Sequence, residues 1–202
     1  MRFFTRLFLV LALPAGLLVW GLSRTHTPAN AATSTTIRST TTSSSTTTTT
    51  VPLVQTMAKP PLHDPALDQR MAHLFLGLRD YNNAEADLAF LPMRYYVVLK
   101  QGGGNEADWK NRLIGHFHAQ LAQLRARFRG VLPGSTYNGY LVKSATAHTV
   151  PVGAEENKAP YWQVYMTTMA FKDKNGNPHT FIINTMISFR GAWYVVHVIG
   201  YG

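Results

Sequence analysis

Histidine is the residue type available to this chain for general-base chemistry on a strand. The acidic residues are Asp64, Asp68, Asp80, Glu85, Asp87, Glu106, Asp108, Glu155, Glu156 and Asp173, and none falls on a stretch that reads as a strand. His148 and His197 do. Period-two alternation puts His197 on one face with Trp193 and Val195, and makes Asn184 a single polar residue on an apolar strand face. Pairing through the Arg190-Gly191 turn sets 188 opposite 193 and 184 opposite 197, and opposed residues lie about 4.5–5.5 Å apart. A lone imidazole on an apolar face is more often a hydrogen-bonded core group than a catalyst. His197 is therefore expected to shape a pocket, with a catalytic base as the lesser alternative. Trp193, His197, Asn184, Tyr165 and His148 form the expected lining of a ligand pocket.

Other chemistries find less support. His116 and His118 stand two apart on a helical stretch, so they face different ways, and neither Cys nor carboxylate joins them as metal ligands. The chain has no Cys, hence no disulfide and no thiolate nucleophile. Gly102-Gly-Gly104 lacks the spacing of either phosphate-binding glycine motif and reads as a flexible turn. No Ser-His-Asp set can be assigned from sequence order. No metal and no cofactor is expected. The formal charge of +9 is uneven: residues 60–202 hold 14 Lys and Arg against 10 Asp and Glu, a balance of +4. The rest is Arg2, Arg6, Arg24, Arg38 and Lys59, so the high pI does not argue for a nucleic-acid partner.

Helices and strands must position these residues. Asp64 caps and Pro65 opens a helix whose apolar stripe is Leu67, Met71, Leu74 and Leu78, running to about Tyr81. Asn82-Asn83 breaks it, and Ala84 to Leu91 reads as a short second helix. Tyr95 to Leu99 favours a strand by composition, with a helical turn as the alternative. Asn105 or Asp108 caps the longest helix, whose stripe is Trp109, Leu113, Phe117, Leu121, Leu124 and Phe128. Arg125, Arg127 and Arg129 crowd its last turn, where cations complement the helix dipole.

Tyr137 to Val150 then reads as one long strand, and Tyr161 to Phe171 as a second. Asn175-Gly176 supplies a reversal. Phe181, Ile183, Thr185, Ile187 and Phe189 form the inward face of the next strand. The last strand, from Trp193 to Tyr201, is apolar on both faces, which places it centrally or within a closed sheet. The expected fold is α+β: N-terminal helices, one of them long, on a curved antiparallel sheet of about four strands over residues 62–202.

The first 61 residues are of another kind. Leu7 to Ser23 is a run of 17 uncharged residues between Arg6 and Arg24. It reads either as a single-pass anchor or as a signal peptide cleaved near Ala31, within residues 1–24 and the stretch just after. Arg2 and Arg6 keep the N-terminus cytoplasmic in both cases and send the remainder outside. Residues 25–61 are expected to be a disordered linker: 16 of the 18 residues from Thr33 to Thr50 are Ser or Thr, with little apolar surface to offset ordering entropy. Such tracts are O-glycosylated or bare spacers.

The order of helix, short helix, long helix and meander, closed by Gly191-Ala-Trp-Tyr-Val-Val-His-Val198, resembles the nuclear transport factor 2-like superfamily, also called SnoaL-like. The resemblance covers residues 62–202 and rests on element order and the Trp-bearing last strand. It implies a cone formed by a bent sheet against a long helix, with an open cavity. Members include isomerases, dehydratases and hydrolases, and also non-catalytic extracytoplasmic domains tethered by one N-terminal helix in secretion, conjugation or lipid-transport assemblies. The anchor-linker-domain layout is similar to the tethered group. Two functions are therefore expected as alternatives. One is a tethered binding or assembly module for an envelope protein partner or a small apolar ligand. The other is a secreted enzyme acting on a small hydrophobic substrate with His197 as base.

Overall fold

Asp64 sets the start of the first helix: its Oδ1 accepts from the amides of Ala66 and Leu67 at 2.8 and 3.0 Å. The computed structural model describes residues 53–102 and 105–199. The expected anchor or signal segment and most of the linker lie outside them. Helix α1 is Pro65–Arg79 and buries Leu67, Met71, Leu74 and Leu78. Helix α2, Asn83–Ala86, is capped by Asn82 and is shorter than the helix expected over 84–91. It packs against α1 at Gly77, where an added Cβ would meet the Ala86 amide nitrogen at 2.4 Å.

Helix α3, Met93–Leu99, replaces the strand that its composition favoured. Pro92 leads into this turn with an extended backbone, and Tyr96 and Leu99 are buried against the sheet-covering layer. The longest helical stretch begins with α4, Asn105–Asp108, passes through one π turn at Trp109–Leu113 and continues as α5, Ile114–Arg127. Phe117, Leu121 and Leu124 are buried along it. Arg125 does not merely complement its own helix end. It is buried and donates to the carbonyls of Gly77 and Leu78 at 2.9 and 3.4 Å and to Asn83 Oδ1 at 2.7 Å. It thus adds a side-chain donor to carbonyls at the end of α1, of which Gly77 O also accepts from the Asn82 amide.

The expected long strand over 137–150 is two strands: β1, Thr136–Leu141, and β2, His148–Val150. Both pair antiparallel with β3, Tyr161–Lys172. A short 3-10 turn at Ser144–Thr146 separates them. There the Thr146 hydroxyl donates to the Tyr165 carbonyl at 2.7 Å and accepts from its amide at 3.0 Å, replacing the missing strand partner. Strand β4, Pro178–Phe189, pairs with β3, and β5, Ala192–His197, pairs with β4. Arg190 and Gly191 both have positive φ, as the two-residue hairpin turn requires. Phe181, Ile183, Thr185, Ile187 and Phe189 are all buried, as their alternation implies. The sheet order is β1-β3-β4-β5, with β2 pairing the opposite end of β3 from β1, and the helices pack on this curled antiparallel sheet in an α+β fold.

Strand β5 therefore lies at the end of the sheet and not in its centre. Its two apolar faces have another cause. The segment after α2 covers its edge, with Val195 donating to Ala89 O and accepting from the Leu91 amide. Residues 53–61, read from sequence as the end of the linker, cover its other face and the neighbouring turn. Gln55 Nε2 donates to the carbonyls of Pro160 and Ser188, and Gln55 Oε1 accepts from the Arg190 amide. Trp162 Nε1 donates to Met57 O, and Trp193 Nε1 to Pro61 O.

Candidate functional site

A β-bulge in β5 decides where His197 stands. The register runs Ser188 opposite Trp193 and Met186 opposite Val195, but then Thr185 opposite His197. Val196 is the additional residue. His197 consequently faces Thr185 and Tyr165 in one row across β5, β4 and β3, not Asn184, and it leaves the face of Trp193. Simple period-two counting cannot anticipate this, because one inserted residue reverses every later side chain. The bulge has a local reason: the Val195 main chain is engaged on its outer side by Ala89 and Leu91.

That row lines a cavity of about 320 Å³ between the sheet and the helices. Gln163, Tyr165, Thr185, Ile187 and His197 come from the sheet, and Leu91, Leu99 and Leu113 from the helical layer. Of the residues expected at a pocket, Tyr165, Asn184 and His197 reach it. Trp193 does not. It is fully buried, with its indole on Pro61 O. Nor does His148, which is exposed, donates from Nδ1 to Thr146 O at 3.0 Å and stacks on the Tyr165 ring. Asn184 Nδ2 donates to the Thr185 hydroxyl at 3.0 Å. Sequence reasoning missed Gln163, whose Oε1 is buried without a partner. The signal that could have found it is alternation on β3, which puts 163 and 165 on one face.

The mouth of the cavity is polar. Tyr96, Lys100, Arg112 and Glu155 line both the cavity and an outer vestibule of about 550 Å³ that adds Asp108, Glu156 and Gly102. The π turn brings Arg112 and Leu113, consecutive residues, to the same cavity; such turns recur at functional sites. Arg112 Nε and Nη2 each donate to Asp108 at 2.6 Å, and the Tyr96 hydroxyl donates to the same carboxylate. The Arg112 hydrogen bonds and that of Tyr96 hold Asp108 down to about 2, and burial together with Asp108 pushes Tyr96 up to about 12. Lys100 Nζ donates to the Glu155 carbonyl at 2.6 Å. Burial lowers its pKa against the opposing pull of Glu155 and Glu156. Tyr161 donates to Glu155 Oε2 at 2.7 Å.

His197 is held low, at about 4, first by burial and then by electrostatic repulsion from His116 and Arg112, against an opposing pull from Glu155. It is a neutral imidazole near pH 7. His118 pairs with Asp87 at 2.8 Å and His116 is exposed on the same helix, so the two do not converge. Among the described residues no group of His, Cys, Asp and Glu could hold a metal ion, and no helix is long and apolar enough to cross a membrane. Comparison with known proteins gives no match to a family model, to a curated protein or to a solved structure.

Proposed function

We propose that residues 53–199 form a non-catalytic binding module of the nuclear transport factor 2-like type, tethered outside the cytoplasm by the N-terminal segment. Its cavity holds a small, largely apolar ligand, and an envelope assembly is the setting in which such a module would work. The observation that carries this reading is the cavity of about 320 Å³ under the curled sheet, walled by Leu91, Leu99, Leu113, Ile187 and Val196. Its size lies at the lower end of the roughly 300–1,000 Å³ usual for ligand pockets, and polar groups such as Gln163, Thr185 and Lys100 beside the apolar wall suit orientation of a ligand.

The enzyme reading draws on the row of Tyr165, Thr185 and His197. A general base works best with a pKa near the operating pH. An imidazole held at about 4 accepts a proton only weakly, and the pull of Glu155, which lines the same cavity, does not offset burial and the repulsion from His116 and Arg112.

The test is displacement of an environment-sensitive apolar dye from the full chain. Ile187→Trp, which fills the cavity, is expected to remove dye binding with an unchanged far-ultraviolet dichroism spectrum, while Ile187→Leu retains it. A folded Ile187→Trp protein that still binds the dye would overturn the proposal. Turnover of a hydrolase or isomerase substrate that His197→Gln abolishes would install the enzyme reading. A reporter active only in the cytoplasm, fused after Gly202, is expected to give no signal.

A further inference from the structure

The polar groups of the cavity are unevenly satisfied, and that imbalance specifies ligand chemistry. The Gln163 side chain is 5 % exposed on the cavity wall, and its Oε1 has no hydrogen-bond partner. A buried amide oxygen without a partner costs stability that an arriving hydroxyl or amino group would recover. At the mouth two of the three acids, Asp108 and Glu155, are already engaged. Asp108 receives two bonds from Arg112 and one from Tyr96, and Glu155 Oε2 receives the Tyr161 hydroxyl. The cation Lys100 is not so matched. Its Nζ meets a backbone carbonyl and forms no ion pair among the described residues. An ammonium lining a part-buried mouth and held by no direct ion pair is a ready counter-ion for an anionic head group.

We propose that the cavity takes a compact amphiphilic carboxylic acid. Its apolar body lies against Leu91, Leu99, Leu113 and Val196, its hydrogen-bond donor meets Gln163 Oε1, and its carboxylate meets Lys100. This rests on the binding-module reading above and adds the ligand class. Glu155, Glu156 and Asp108 oppose it, because their charge acts on Lys100 through space, while Arg112 acts the other way. Glu155 and Glu156 are exposed, so water screens their charge.

The experiment compares decanoate, decanol, decylamine and ω-hydroxydecanoate as displacers of the apolar dye from the full chain at neutral pH. Decanoate is expected to bind at least about 10-fold tighter than decylamine, the scale of one charge-assisted bond. Lys100→Met is expected to bring the two within about 2-fold, and Lys100→Arg to keep most of the preference. The ω-hydroxyl is expected to improve binding over decanoate in the parent and to lose that gain in Gln163→Leu. Thermal melting of each variant checks that the fold is retained. If decanol displaces the dye but decanoate shows no advantage over decylamine, the ligand class is wrong and the binding module stands. If decylamine wins, Glu155 and Glu156 set the charge preference and the proposal is overturned. If none of the probes displaces the dye, the binding-module reading fails with it.

Discussion

At the scale of single residues, His197 has the largest shift of any described histidine, and its consequence for stability has a definite sign. Its folded pKa of about 4 lies below the ordinary 6.5, so between those values the unfolded chain binds the additional proton. Stability from this group is therefore complete above about pH 6.5 and is lost as pH falls toward 4. Asp108, held down to about 2, gives up its contribution in a lower window, below the ordinary carboxylate value of 3.8. The melting temperature is expected to decline from pH 6.5 to 4.5 in the parent, about the interval set by His197 titration, and to decline less in His197→Gln. Parallel curves for the two proteins would show that His197 does not carry that slope. The partner inferred by counting back from the Arg190-Gly191 turn, Asn184, is displaced by one position, and Thr185 stands opposite instead.

At the scale of elements, the helical layer depends on one close approach. Helix α1 meets α2 at Gly77, where a methyl group would sit 2.4 Å from the Ala86 nitrogen and 2.6 Å from its Cβ. Both are atoms of a short capped helix and cannot swing aside as a long side chain would. The layer just beyond α2 carries Ala89 and Leu91, which pair with β5 and set its bulge. Gly77→Ala is therefore expected to cost about 1–3 kcal/mol, despite the better helix propensity of Ala. Urea denaturation measures this. A stabilised variant would mean that α1 and α2 separate without penalty. Arg125 binds the same junction from α5, through Gly77, Leu78 and Asn83.

At the scale of the whole described unit, the segment ahead of α1 belongs to the fold. Gln55 makes three hydrogen bonds across β3, β4 and their turns, and Lys59 stands over the Trp162 ring at 4.9 Å. A chain beginning at residue 62 is expected to melt below one beginning at residue 53, by at least about 1–3 kcal/mol from the Gln55 bonds alone. Equal melting would return this segment to the linker.

What the sequence determined by itself was local and periodic. The Asp64 cap, the apolar stripe of α5, the inward face of β4 and the Arg190-Gly191 hairpin are each set by neighbours within a few residues, and they appear where that chemistry puts them. The tertiary structure decided what depends on partners far away in the chain. Tyr95 to Leu99 becomes a helix because packing overrides a weak β preference. The bulge at Val196 arises from main-chain bonds to Ala89 and Leu91, roughly a hundred residues earlier, and it alone turns His197 from Trp193's face toward the cavity. Trp193 itself is drawn under Pro61, and Gln163 is left without a partner only because the sheet curls over it. Periodicity records which face a residue prefers, but register, bulges and unfilled hydrogen bonds are set by the surfaces that meet.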